Sequence, residues 1–177
     1  MTVRAFQALV LAAVLAVLVI PTTAEPANAR AHASMASLES GVLEQLNAIR
    51  VAHGLVPVVE SARLTAAATQ HSREMGADGY FEHSSADGTA FWRRIGRWYG
   101  STSYGYWSVG ENLLWSSPGL DPSTALQLWM QSPEHRANIL APRWRQIGVS
   151  AVHLAVAPGT YRDLPVTIIT TDFGVRR

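Results

Sequence analysis

Cysteine is absent from the 177-residue chain, so neither disulfides nor thiolate metal ligands are available to it. Lysine is absent too. All 14 basic side chains are arginine, a composition bias that singles out no site. Charge of one sign is also missing, because 13 acidic residues leave a net charge of +1. That balance argues against a nucleic-acid partner, which needs a concentrated basic surface. Long hydrophobic runs are lacking: the longest, Ala8 to Ile20, has 13 residues, short of the roughly 20 that span a bilayer as a helix. There is no internal repeat, heptad pattern or long linker, and the length suits one domain with a substantial core.

What is present begins with a leader. Arg4 precedes the apolar run, Pro21 ends it, and small-residue sites follow at Ala24 and Ala29. This order describes a secretory signal peptide over residues 1–29, cleaved after Ala24 or Ala29. An uncleaved membrane anchor is the alternative, disfavoured by the length of the run. The stretch from Pro21 to Ala36 is rich in Ala, Pro and Ser and is expected to be a disordered junction, of which residues 30–37 would remain before a domain covering 38–177.

Leu38, Val42, Leu46 and Ile49 recur at helical spacing up to Gly54. Ser61 is an expected N-cap for a second helix, with Leu64, Ala68, His71 and Met75 on one face and Gly79 at its end. Thr89 to Trp98 reads as a third helix. Asp121-Pro122 starts a fourth, which Ser132-Pro133 stops. The C-terminal third changes period: Ile147 to Val156 and Val166 to Phe173 are β-branched runs joined at Pro158-Gly159, expected to pair as antiparallel strands covered on both faces. Helices first and strands last give an α+β domain, with helices packed on a small antiparallel sheet.

Three polar stretches interrupt these elements, each expected in a loop or at an element end. They are Phe81-Glu82-His83-Ser84 with Asp87-Gly88, then Gly110-Glu111-Asn112-Leu113, then Ser132-Pro133-Glu134-His135-Arg136-Ala137-Asn138-Ile139-Leu140. Together with Trp129 and Ile147-Gly148-Val149, in this order and spacing, the chain resembles the bacterial branch of the CAP superfamily (cysteine-rich secretory proteins, antigen five and pathogenesis-related proteins). The resemblance implies a three-layer α–β–α sandwich and a cleft of two His and two Glu able to bind zinc or another divalent cation. His83, Glu111 and His135 match three of the four corners, with His83 and His135 as the metal ligands. The fourth corner is Ser132 in place of Glu, and Glu134 or Asp87 are the candidates to supply its carboxylate.

Two imidazoles and a carboxylate suit a zinc site with an open position, or an imidazole oriented through its second nitrogen. A carboxylate beside imidazoles also favours their protonated form, so such a cleft would respond to mildly acidic pH. The resemblance implies a secreted protein binding a divalent cation, a lipid, a sterol or a cell-envelope ligand. The alternatives are a metal-assisted hydrolase of peptide or envelope substrates, with Glu111 as acid/base, and a structural interaction module. Ser132 counts against the hydrolase because it removes a potential base. Ser84 and Ser85 beside His83 lack a nucleophile-elbow motif. Outside the cleft, eight of the 15 aromatics fall between Phe91 and Trp115. Of these, Tyr104, Tyr106 and Trp107 are expected on a loop able to line a groove for glycan or lipid.

Overall fold

The computed structural model describes residues 27–177. The leader expected over 1–29, apart from its last three residues, lies outside the described residues. Among the described residues no helix is long and apolar enough to cross a membrane.

The chain forms an α+β sandwich. Helix α1 (Ala27–Ala52) leads through a two-residue strand β1 (Val59–Glu60) to α2 (Ala62–Asp78) and α3 (Phe91–Trp98). Strand β2 (Trp107–Ser116), helices α4 (Pro122–Gln131) and α5 (Pro133–Ile139), and strands β3 (Gln146–Ala157) and β4 (Leu164–Arg176) follow. The sheet order is β1-β3-β4-β2, antiparallel except for the short β1–β3 pair. Strand β2 is therefore an edge, open to both helical layers.

Successive strand side chains point to opposite faces, and β4 serves both. Ile169 and Phe173 join Leu38, Val42, Leu46, Trp129, Ile139 and Trp144 in the core beneath α1, α4 and α5. Val166 and Ile168 pack with Met75 on the other face, where Leu64, Ala67, Ile95 and Tyr99 join α2 to α3. The expected face of α2 is buried throughout: Leu64, Ala68, His71 and Met75 are all solvent-free. Helix α2 sits unusually close to the sheet. A Cβ on Gly148 would stand 2.1 Å from the Leu64 carbonyl carbon and the Thr65 nitrogen, so only glycine fits there.

Several expectations are corrected. Residues 30–37 are not an irregular junction but part of α1. The segment is alanine-rich, alanine is the best helix former, and Met35 and Leu38 pack against the core. The Gly110-Glu111-Asn112 stretch is the middle of a ten-residue strand, because β2 pairs with β4 along its whole length and both helical layers meet its polar side chains. Ser132-Pro133 ends α4 and also starts α5, with Ser132 capping both. Pro at the first helical position is favourable since its missing N–H would have no partner.

Candidate functional site

The edge position of β2 brings the two histidines together. Glu111 and Asn112 are adjacent on the strand and so face opposite layers. Glu111 turns toward α2 and α3, where its Oε1 accepts a 2.8 Å hydrogen bond from Nδ1 of His83 in the loop between those helices. Asn112 turns toward α5, its Nδ2 donating to the His135 carbonyl at 3.2 Å. Asn138 of α5 locks this arrangement, donating to the Glu111 carbonyl and to Asn112 Oδ1. The result is a cleft of about 330 Å³ that includes His83, Glu111, Asn112, Glu134, His135 and Arg143 in its lining.

A carboxylate can only accept, so a neutral His83 ring carries its proton on Nδ1 and offers Nε2 as an acceptor or ligand. The His83 side chain is 53% exposed while that of Glu111 is fully buried. One imidazole is thus held at the cleft mouth by a fixed, buried partner.

That partner is itself held. Arg94 of α3, fully buried, donates through Nη2 to Glu111 Oε2 and through Nη1 to the His83 carbonyl at 3.3 Å. Behind them lies Asp172, fully buried and directly opposite Glu111 in the β2–β4 register. Neither Asp172 oxygen receives a hydrogen bond. Burial and the Glu111 charge hold its pKa well above the usual carboxylate range, despite Arg94. Burial would raise Glu111 as well, but its bond to His83 and the Arg94 charge outweigh that and keep it ionised. One guanidinium faces two carboxyls, whose surroundings push their pKa values in opposite directions.

Burial lowers the pKa of His135, a protonated His83 would add to this, and Glu134 acts more weakly the other way; the net direction runs against the expectation that a nearby carboxylate would favour the protonated form. The carboxylate of Glu111 belongs to His83 and is on the far side of β2 from α5. Burial likewise lowers His71, whose Nε2 lies 2.9 Å from the Glu82 carbonyl. For both groups the unfolded chain binds the proton more tightly, so their contribution to stability is complete above the ordinary histidine pKa of 6.5 and is lost as pH falls below it. The raised Asp172 carboxyl acts in the opposite sense, since the folded form holds its proton more tightly than the unfolded chain does. The histidine part is isolated by His71→Gln, which keeps a donor for Glu82 but cannot titrate: its urea midpoint at pH 5.5, relative to that at 7.5, is expected to be higher than the parent protein's, and an unchanged ratio would take His71 out of this pH dependence.

The other expected site residues separate. Glu134, in the first turn of α5, lines the cleft. Asp87 does not: it is exposed, and its Oδ1 closes a turn on the Thr89 amide at 2.8 Å. Ser132, the position of the missing carboxylate, is not in the cleft lining. The aromatic loop also divides. Trp107 is not groove-lining but half-buried against the Leu64–Tyr99 cluster, with its indole donating to the Tyr99 carbonyl. Tyr104 and Tyr106 are exposed.

Arg94, Asp172 and Arg143 were not among the residues singled out. Asp172 left a signal, the lone carboxylate in the run from Val166 to Phe173. Arg94 left none, since nothing in the sequence sets it apart from its neighbours Arg93 and Arg97.

Comparison with known proteins places this geometry. The model of the cysteine-rich secretory protein family (CAP) matches residues 43–157. Over 141 residues the chain is 33% identical to the uncharacterized protein YkwD of Bacillus subtilis (strain 168), covering 75% of this chain and 50% of the relative. The chain thus spans about half the length of that curated relative. Among solved structures, it is similar to an extracellular protein containing a SCP domain from Bacillus anthracis str. Ames (TM-score 0.65, 23% identity, 88% of this chain and 45% of that one). It is also similar to an outer surface protein of Borrelia burgdorferi (TM-score 0.60, 18% identity, 77% and 90%). At these identities the structural likeness is one of fold.

Proposed function

The chain belongs to the cysteine-rich secretory protein (CAP) family, and from that premise we propose that it is a secreted binding domain whose ligand enters the cleft between His83, Glu111 and His135. The observation that carries the reading is the fixed His83 imidazole, bonded through Nδ1 to a buried Glu111 that Arg94 holds in turn. Such a group is positioned before any ligand arrives, so little ordering cost is left for binding. The leader expected over residues 1–29 supports secretion, as does the similarity to proteins described as extracellular or outer-surface.

The donor set bears on the cation. Among the described residues no three His, Asp or Glu side chains are gathered as a ligand set. His83 and His135 would be the protein ligands of a zinc or similar ion, with outside groups completing its shell. Catalytic zinc sites generally have three protein ligands, so this pair favours modest, reversible binding. A small polar or charged envelope ligand suits the same lining, with Arg143 and Asn112 as added partners; a lipid or sterol suits it less. The hydrolase alternative has weaker support, because both Glu111 oxygens are engaged, one by His83 and one by Arg94. A carboxylate so occupied is poorly placed to shuttle protons.

Zinc titration by calorimetry at pH 7.5 tests the reading. The protein is expected to bind one equivalent, and His83→Ala with His135→Ala is expected to abolish the signal. Glu111→Gln should weaken it by about 10- to 100-fold, the usual effect of removing the group that orients a ligating imidazole. Zinc binding that survives in the double variant would sink the cation reading. An absence of both zinc binding and envelope-fragment binding would leave a structural interaction module.

A further inference from the structure

A second concave surface lies apart from the cleft, where the start of α2, the end of α3, the loop after it and the end of β4 converge. It encloses about 530 Å³, and its lining includes Arg63, Arg97, Arg176, Trp98 and Tyr104 but no carboxylate. Among the described residues none of the three arginines makes an ion pair. In a chain whose net charge is only +1, three guanidinium groups facing one hollow without a carboxylate repel one another. An anion that binds there relieves this.

The aromatic groups make the hollow more than a basic patch. Arg176 lies 4.2 Å over the Tyr99 ring and 4.8 Å from that of Tyr104, and its Nη1 donates to the Gly100 carbonyl at 3.4 Å. The cation is thereby fixed while its charge stays unneutralised. Trp98 and Tyr104 are 43% and 42% exposed. The Trp98 indole N–H is tied to Gln70 Oε1 at 2.8 Å, which holds a large flat ring at the rim. Guanidinium forks take the oxygens of a phosphate or carboxylate in charge-assisted pairs, and a flat ring accepts the apolar face of a sugar.

We propose that this hollow is a second binding site, for an anionic saccharide unit bearing phosphate or carboxylate. Its size suits one or two sugar units. A nucleic-acid strand would need a continuous basic track, and the isoelectric point of about 8.2 falls short of such a surface.

Chemical-shift titration of the ¹⁵N-labelled protein, read at the Trp98 indole N–H, tests the proposal with glucose 6-phosphate, glucuronic acid, glucose and inorganic phosphate as probes. At least one charged sugar is expected to saturate, more tightly than glucose or inorganic phosphate, and to weaken as salt is added. Which charged sugar binds tighter identifies phosphate or carboxylate as the source. Arg63→Gln with Arg97→Gln, both exposed positions, should weaken that binding by about tenfold or more. The same variant should leave the zinc titration at the cleft unchanged, so the two sites fail independently. Tyr104→Ala should reduce binding of the charged sugar and leave that of inorganic phosphate. No saturation by either charged sugar, equal binding of glucose, indifference to the arginine variant, or tighter binding of a short oligonucleotide would each overturn it.

Discussion

Replacing Glu111 with leucine is expected to destabilise the domain by about 3–5 kcal/mol, the usual cost of removing one partner from a buried ion pair. The change strands Arg94, fully buried and with no other ion-pair partner among the described residues. For a domain of this size that corresponds to roughly 6–20 °C in Tm. It is also a large share of the 5–15 kcal/mol by which native proteins are commonly stable, so failure to fold at 37 °C would be consistent. Two further variants keep the expectation open to refutation. Arg94→Met added to Glu111→Leu removes the stranded charge and should recover much of the loss. Asp172→Asn added to Glu111→Leu should make matters worse than the two single losses combined, because Asp172 is the carboxyl that could ionise and pair with Arg94 once Glu111 is gone. A loss below about 1 kcal/mol for Glu111→Leu, which is the range of exposed pairs, would mean that the Arg94 charge is solvated after all.

The second large effect is expected at Gly148, on β3 beside Asp172 in the register. Its added Cβ would meet main-chain atoms of α2 at 2.1 Å, well inside contact distance, and a backbone cannot swing aside as a side-chain end can. Gly148→Ala should therefore cost about 3 kcal/mol or more, at the upper end of overpacking, as measured by urea or thermal unfolding. Gly174 gives a graded comparison. A Cβ there meets the Tyr99 ring at 2.8 Å and a Leu64 methyl at 2.9 Å, and these side chains can shift. Gly174→Ala should cost less than Gly148→Ala; the reverse order would show that α2 is not held against the sheet as described. The consequence reaches the cleft, since α2 leads directly into the loop that carries His83.

Where the chain punctuates itself, its structure was legible in the sequence. Ser61 and Gly79 bound α2 as expected; Gly79 takes the left-handed conformation (φ 73°) that ends a helix. Asp121 caps α4 through the Ser123 and Thr124 amides, and the two apolar runs are β3 and β4. Strand β2 was not legible. Its glycine, glutamate, asparagine and serines have little strand preference, and only pairing with β4 and partners on both faces make it a strand. Helix α5 was hidden because one Ser-Pro pair serves as stop and start.

The site divides along the same line. His83, Glu111 and His135 could be named because three motifs stand in a fixed order. The buried support could not, since what makes Arg94 different from Arg93 and Arg97 is its register against the sheet. Asp87 and Trp107 are engaged elsewhere for the complementary reason: one satisfies a local turn, and the other turns inward where the loop becomes β2.

The most direct test of the central claim is a crystal of the protein grown with zinc at neutral pH, read by anomalous scattering. One peak is expected in the cleft, about 2.0–2.1 Å from an imidazole nitrogen of each of His83 and His135, with His83 bound through Nε2 and Nδ1 still bonded to Glu111. Zinc held only by histidines outside the cleft, or a His83 ring turned away from Glu111 to bind metal through Nδ1, would contradict it.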